Sequence, residues 1–153
     1  VQAGLNTQNC EFNDYIRIIT MPNPAEIRAI VASYVEMMCD TRVDDIMELF
    51  DHQATAEDPV GGELVEGIEA LRNFYGAAAP LLQVELSGPI CVAGNQCAFP
   101  VLAQLSMGDN ISYLDATDIF VFNEEGKITS MRAFWNPEEL RPERQANTGS
   151  GAA

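Results

Sequence analysis

Asp58 ends a short alternating stretch in which a carboxylate could act as a general base. The stretch covers residues 54–62 and reads ATAEDPVGG. Along a strand, Ala54, Ala56 and Asp58 would share one face, and the small alanines would leave open space beside the carboxylate. Pro59 removes a backbone donor, and the two glycines that follow allow the chain to reverse. Because Asp-Pro is a common turn opener, a turn-capping Asp58 is the simpler interpretation of this stretch alone.

A second carboxyl, Asp118, falls on an otherwise apolar strand face. Residues 112–122 alternate, and this face also carries Leu114, Ala116, Phe120 and Phe122. A buried carboxylate is costly without a counter-ion, and Arg132, one strand later, is predicted to face outward. Desolvation would instead raise the pKa of Asp118, so that the group stays protonated and can donate a hydrogen bond. A register shifted by one residue would place Asp118 in water.

Tyr34 is a third candidate, because it lies on the apolar face of a predicted helix. The helical spacing is carried by Ile27, Ile30, Val31, Tyr34 and Met38. A buried hydroxyl needs a partner, and a backbone carbonyl would be the ordinary one. A base opposite two donors suits proton abstraction next to a carbonyl group. Tyr34 and Asp118 would then hold the developing enolate oxygen, and Asp58 would return the proton elsewhere on the substrate.

The elements that must position these groups divide the chain into a helical half and a β half. Asn23, Pro24 and Glu26 have the pattern of a helix start, and further helices are predicted over 43–50 and from about 66 to 80. Alternating segments follow at 83–86, 90–92, 97–107, 112–122 and 127–135. We therefore predict an α+β fold with a curved, mixed but mostly antiparallel sheet. About three N-terminal helices would wrap this sheet and form a conical pocket.

Length and charge limit the organisation and the partners of the chain. Its 153 residues fit one domain, predicted over 21–137, after an N-terminal extension (1–20) of unknown role and before a polar C-terminal tail (138–153). The formal charge of −15 argues against nucleic acid or an anionic membrane surface as a partner. No apolar run approaches the ~18 residues of a membrane span, and residues 1–20 lack the pattern of a secretory signal.

The cysteine and histidine content argues against a metal site. Four cysteines form no CxxC pair, and His52 is the single histidine. Scattered cysteines in an acidic domain are typical of reduced thiols in the cytosol, so we predict a cytoplasmic protein without a bound metal. The outward strand face of Tyr113, Ile119 and Val121 is apolar for a surface in water, which indicates pairing with a second subunit.

The chain resembles the bacterial steroid Δ5-3-ketoisomerases (ketosteroid isomerases) of the nuclear-transport-factor-2-like, or SnoaL-like, superfamily. The matching segments occur in the family's order over residues 22–136. They are ASYVE around Tyr34, ATAEDP around Asp58, NFY ending at Tyr75, LDATD ending at Asp118, and AFW ending at Trp135. Together these motifs are specific, although each one alone is weak.

This resemblance implies a conical homodimer without a cofactor and with an apolar pocket for a flat steroid. Asp58 would move a proton from C4 to C6, while Tyr34 and Asp118 would hold the dienolate oxygen. Tyr75 matches a tyrosine that hydrogen-bonds the catalytic one, and Trp135 matches an aromatic beside the base.

Three further positions are expected to contact the substrate. Phe50 stands where a well-studied branch of the family carries another tyrosine of the hydrogen-bond chain, so that chain would be shorter here. Val101 lies on the predicted lining strand, whose variation leaves the preferred steroid open. Phe120 shares the inner strand face of Asp118.

Two other functions remain open from the sequence. The first is a dehydratase, cyclase or epoxide hydrolase on the same fold. Those chemistries generally use a His or an Arg–Asp constellation in the pocket, and His52 has no evident inward position. The second is a binding module for small apolar ligands without turnover. Such a module would gain little from burying an acid such as Asp118.

Overall fold

The computed structural model describes residues 21–144, and the elements follow the predicted order. Three α-helices, Pro24–Cys39 (α1), Val43–Glu48 (α2) and Ile68–Ala78 (α3), precede most of the sheet. Short 3₁₀ helices cover Ala79–Leu81 and Pro137–Glu139. The predicted extension 1–20 and the end of the predicted tail, 145–153, lie outside the described residues.

Helix α1 begins with the predicted capping pattern. The Asn23 side chain accepts a hydrogen bond from the Glu26 N–H (3.0 Å), and the Glu26 carboxylate accepts one from the Asn23 N–H (2.8 Å). Two backbone donors that the helix cannot satisfy are therefore paired, and Pro24 occupies a first-turn position that needs no donor. Of the face expected from the spacing, Ile27, Val31, Tyr34 and Met38 are buried, and Ile30 at its margin is half-buried.

One sheet of seven strands is formed by the described residues. The strands are Phe50–Glu57 (β1), Leu64–Glu66 (β2), Leu82–Leu86 (β3), Cys91–Ala93 (β4), Gln96–Met107 (β5), Asn110–Phe122 (β6) and Ile128–Phe134 (β7). Their order is β2-β1-β7-β6-β5-β3, and β4 also pairs with β5. Only β1 and β7 run parallel within this sheet, so the predicted α+β fold with a curved, mixed and mostly antiparallel sheet is confirmed.

Two local predictions differ from the structure. Phe50 was expected to end the second helix, but α2 stops at Glu48 and Phe50 opens β1. The reason lies in the backbone: the Ile128 N–H donates to the Leu49 carbonyl at 2.8 Å, and Phe50 pairs with Ile128 in the sheet. Strand β2 was not predicted, because its three residues are too few and too exposed to show alternation.

The first part of the predicted polar tail packs on the outer face of the sheet. Backbone groups of Arg141 and Tyr113 exchange two hydrogen bonds at 2.8 and 3.0 Å, and the Arg141 guanidinium pairs with Asp115 at 2.9 Å. Arg144 pairs with Glu85 on β3. The chain therefore stays attached to the sheet beyond residue 137, the predicted end of the domain, as far as residue 144.

Candidate active site

A cavity of about 240 Å³ lies between helices α1 and α3 and the inner face of the sheet. It brings together six of the eight residues that the sequence marked as functional: Tyr34, Asp58, Tyr75, Val101, Asp118 and Trp135. The rest of the lining is apolar and comes from strands β3, β5, β6 and β7, from the two helices and from Leu81 of the first 3₁₀ helix. A largely apolar cleft with a few convergent polar groups is the usual form of a small-molecule site.

Asp118 is the one residue with an ionisable carboxyl that the described part of the chain buries, at 7% exposure. It faces the cavity from β6, between Phe99 of β5 and Ala133 of β7. Burial, and next the nearby charge of Asp58, raise the pKa of Asp118 to about 8. Asp115, three residues earlier on β6, is exposed and points outward. The strand therefore has the inward register of Asp118 that was predicted from the apolar face.

No cation neutralises Asp118 from the neighbouring strand. Arg132 lies on β7 with its side chain 45% exposed and pairs with Glu57 outside the cavity. This is the outward orientation expected from its alternation with Met131 and Ala133. Since Asp118 is nearly removed from solvent and Arg132 is turned away from it, the neutral form is favoured over a wide pH range.

Tyr34 and Tyr75 form a buried hydroxyl pair whose oxygens are 3.2 Å apart. Burial, the first cause, raises the pKa of both tyrosines above the ordinary value, so both hydroxyls keep their protons. If Tyr75 donates to Tyr34, the proton of the Tyr34 hydroxyl is left to donate to a ligand in the cavity. The pair can therefore present one polarised donor near Asp118.

Asp58 directly follows β1 and is held by Trp135. The Trp135 Nε1–H donates to Oδ1 of Asp58 at 2.5 Å. Burial raises the pKa of Asp58, and the hydrogen bond from Trp135 lowers it and so opposes part of that effect. The two carboxyls of the cavity therefore differ. Asp58 has a donor that stabilises its charge. Burial and the charge of Asp58 both raise the pKa of Asp118.

Hydrogen bonds on both sides hold the turn after Asp58 in place. Glu57, which precedes Asp58, accepts a hydrogen bond from the Gly61 N–H at 2.7 Å. The Val60 N–H donates to the Ala133 carbonyl on β7 at 2.8 Å. Gly61 has a φ of 90°, a backbone conformation in which residues other than glycine are strained. The predicted reversal at the glycines is therefore real, and it fixes the backbone that carries Asp58.

Phe50 and Phe120, both expected at the substrate, do not line the cavity. Phe120 packs edge-on against Tyr34 with ring centroids 5.0 Å apart, and Phe50 contacts Tyr75 at 5.6 Å. Phe120 does lie on the inner strand face, but Tyr34 of α1 covers it. Both phenylalanines therefore support the tyrosine pair from behind.

Several residues of the cavity wall were not predicted as site residues, although strand alternation indicated that some of them face inward. Met131 and Ala133 alternate with exposed residues on β7, and Leu82 and Val84 do so on β3. Alternation assigns such residues to a face, but it does not show that the helices leave that part of the face uncovered.

Two observations concern other kinds of site. No three His, Cys, Asp or Glu side chains within residues 21–144 are grouped so that they could hold a metal ion. None of the helices in that range is long and apolar enough to cross a membrane.

The comparisons with known proteins agree with this architecture. The model of the SnoaL-like domain family matches residues 31–131. A steroid Delta-isomerase of Nocardioides simplex is 38% identical over 117 residues, which cover 76% of this chain and 94% of that protein. The solved structure of SalBIII, described as an epoxide hydrolase/cyclase-like enzyme in pyran ring formation in the polyether salinomycin, superposes with a TM-score of 0.74 at 29% identity. That match covers 79% of this chain and 98% of SalBIII.

Proposed function

This chain belongs to the SnoaL-like domain family, and we propose that it is a steroid Δ-isomerase converting 3-oxo-Δ5-steroids into 3-oxo-Δ4-steroids. The resemblance to ketosteroid isomerases is confirmed, and the 38% identity to a steroid Delta-isomerase supports an isomerase. One observation carries the specific reaction: Asp58 shares an apolar cavity with a desolvated carboxyl and a tyrosine pair. A base and two neutral donors are what an enolisation requires.

In the proposed reaction, Asp58 removes a proton from C4 of the steroid. The C4–H electrons form a new double bond and shift charge onto the C3 oxygen, which gives a dienolate and a protonated Asp58. Asp58 then delivers the same proton to C6, and the carbonyl re-forms. The double bond has moved from C5–C6 to C4–C5, Asp58 is a carboxylate again, and no cofactor has been consumed.

Tyr34 and Asp118 would donate hydrogen bonds to the C3 oxygen as its charge develops. Both are neutral when they act, because burial raises the pKa of each. Donors fixed in a dry cavity stabilise a developing charge more strongly than water does, because they need no reorganisation. Removal of one such donor typically costs about 10²- to 10³-fold in rate.

The SalBIII likeness supports a cyclase as the second candidate. A neutral acid and a carboxylate base, such as Asp118 and Asp58, could also protonate an epoxide oxygen and deprotonate an attacking hydroxyl. The higher identity to the steroid isomerase, 38% against 29%, favours isomerisation. A binding module without turnover is disfavoured, because binding an apolar ligand does not need a buried acid.

The outer sheet face supports the further proposal of a homodimer in the cytoplasm. Tyr113, Ile119 and Val121 are half-buried there, and Ile111 and Phe134 are exposed by 48% and 41%. Covering such side chains with a second subunit would remove apolar surface from water. Three cysteines of the described range, Cys39, Cys91 and Cys97, are free thiols, which suits a reducing compartment.

Incubation with a 3-oxo-Δ5-steroid, followed by the absorbance of the conjugated enone, tests the proposed reaction. We expect turnover by the wild type and loss of nearly all of it in Asp58→Asn, with steroid affinity retained, because the amide keeps the shape and loses the base. The control is Asp115→Asn, because Asp115 is a carboxylate on the same strand, β6, that faces outward. Turnover by Asp58→Asn within about tenfold of wild type would contradict the role of Asp58.

A further inference from the structure

The polar side chains that residues 21–144 bring to the cavity lie together at one end of it, where Tyr34 contacts Tyr75 and Trp135 contacts Asp58. Five lining residues carry polar groups: Tyr34, Asp58, Tyr75, Asp118 and Trp135. Strand register places the apolar lining in order away from this end: Val101 opposite Ala116, then Ala103 opposite Leu114, then Leu105 opposite Leu82 of β3. The cavity therefore has a polar inner half and an outer half whose lining side chains are apolar.

The apolar lining continues outward until it reaches the surface. Along the inner face of β5, Val101 and Ala103 are 4% and 6% exposed, Leu105 is half-buried, and Met107 is 60% exposed. Leu81, which lines the cavity beside β3, is 41% exposed. An apolar stripe that runs from a buried pocket to the exposed surface can contact an apolar ligand along its length.

The apolar lining along β5 is longer than the four fused rings of a steroid. Leu105 lies six residues beyond Phe99, the partner of Asp118, and at about 3.4 Å per residue this spans roughly 20 Å. Four fused rings built from C–C bonds of about 1.5 Å are roughly 10 Å long. With the C3 oxygen hydrogen-bonded to Asp118, which adds about 3 Å, the last ring would end level with Ala103, and the apolar walls around Leu105 would lie beyond it.

We propose that the outer half of the cavity binds an apolar alkyl chain at C17, so that the preferred substrate is a 3-oxo-Δ5-steroid that keeps its side chain. This inference rests on the proposed isomerase function. A ketone at C17 would lose hydrogen bonds to water there and gain no side-chain donor from residues 21–144, whose donors in the cavity are at the inner end. An alkyl chain would instead cover Leu105, Leu82 and Leu81.

The test compares cholest-5-en-3-one, which has an alkyl chain, with androst-5-ene-3,17-dione, which has a ketone at that position. We expect kcat/KM to be at least about tenfold higher for the alkyl substrate, and this ratio to fall by about tenfold in Leu105→Asn. Leu81→Asn should lower the ratio in the same direction, and it should leave folding intact because Leu81 is 41% exposed at the mouth of the cavity. Ser106→Asn, the next residue on β5 with the opposite orientation, should leave the ratio unchanged.

The inference would be overturned if kcat/KM for the alkyl substrate, divided by that for the ketone substrate, were one or below in the wild type. It would also be overturned if neither Leu105→Asn nor Leu81→Asn changed this ratio. Binding separates this failure from failure of the isomerase proposal. Trp135, the single tryptophan, lines the cavity, so its fluorescence should report binding of the corresponding Δ4-3-ketones without turnover. Preference for the alkyl ligand without any isomerisation would refute the reaction and keep the alkyl site, whereas equal affinities would refute the alkyl site.

Discussion

Asp118 makes the stability of the fold depend on pH, and the size of the effect can be worked out from its burial. Its pKa is about 8 in the folded chain against an ordinary value of 3.8, a difference of about four pH units. Since one unit corresponds to about 1.4 kcal/mol, the buried acid costs the fold about 6 kcal/mol at a pH above both values. Below pH ~4 the acid is protonated in both states and contributes no such cost.

The sign follows from proton binding. Between pH ~4 and about 8 the folded state holds a proton on Asp118 that the unfolded state has lost, so the free energy of unfolding falls as pH rises. The Asp118→Asn variant has a similar shape and does not titrate. We therefore expect the stability of the wild type relative to Asp118→Asn to fall by about 1.4 kcal/mol per pH unit, or by about 3 kcal/mol from pH ~5 to pH ~7.

Urea unfolding at a series of pH values, followed by the fluorescence of the single tryptophan, measures this difference. Asp115→Asn is the matched control, because Asp115 lies on the same strand and faces outward. Its stability relative to the wild type should not show this fall. If the difference between wild type and Asp118→Asn stays constant within about 0.5 kcal/mol over that range, Asp118 is not a desolvated acid and its neutral-donor role fails.

Three further predictions concern activity and assembly. Asp118→Leu removes a donor and should slow the chemical step by about 10²-fold or more, whereas Asp118→Asn keeps a donor and should cost less; equal losses in single-turnover rates would contradict donation. Trp135→Phe removes the hydrogen bond that lowers the pKa of Asp58, so the acid limb of the kcat/KM profile should move to higher pH; an unmoved limb would show that this bond does not tune the base. The protein should have the mass of a homodimer in light scattering at micromolar concentration, and a monomeric mass would refute the pairing of the outer sheet faces.

The sequence predicted the strand faces well because alternation and burial agree along β6 and β7. An inward Asp118, an outward Asp115 and an outward Arg132 all follow from this one periodicity. The start of α1 was equally predictable, since its capping box is local in sequence. In each case the residues that decide the structure are neighbours along the chain or along one strand.

Features that depend on contacts between distant elements were not predictable from local pattern. Phe50 belongs to a strand because residue 49 hydrogen-bonds Ile128, which lies far along the chain. Phe120 is on the correct face, yet Tyr34 of another element separates it from the cavity. The hydrogen bond between Trp135 and Asp58 joins residues 77 positions apart. Periodicity assigns a face, whereas the neighbouring helices decide which part of that face remains open.

Transfer of a labelled hydrogen tests the central claim, the role of Asp58 as a proton shuttle, most directly. A 3-oxo-Δ5-steroid carrying two deuterium atoms at C4 is converted in ordinary water, and the product is analysed by NMR early in the reaction. If Asp58 carries the proton from C4 to C6 inside a dry cavity, the product has deuterium at C6 as well as at C4, and Asp58→Asn forms almost none of it. A product whose C6 hydrogen comes entirely from water, formed at a rate that Asp58→Asn does not reduce, would contradict the account.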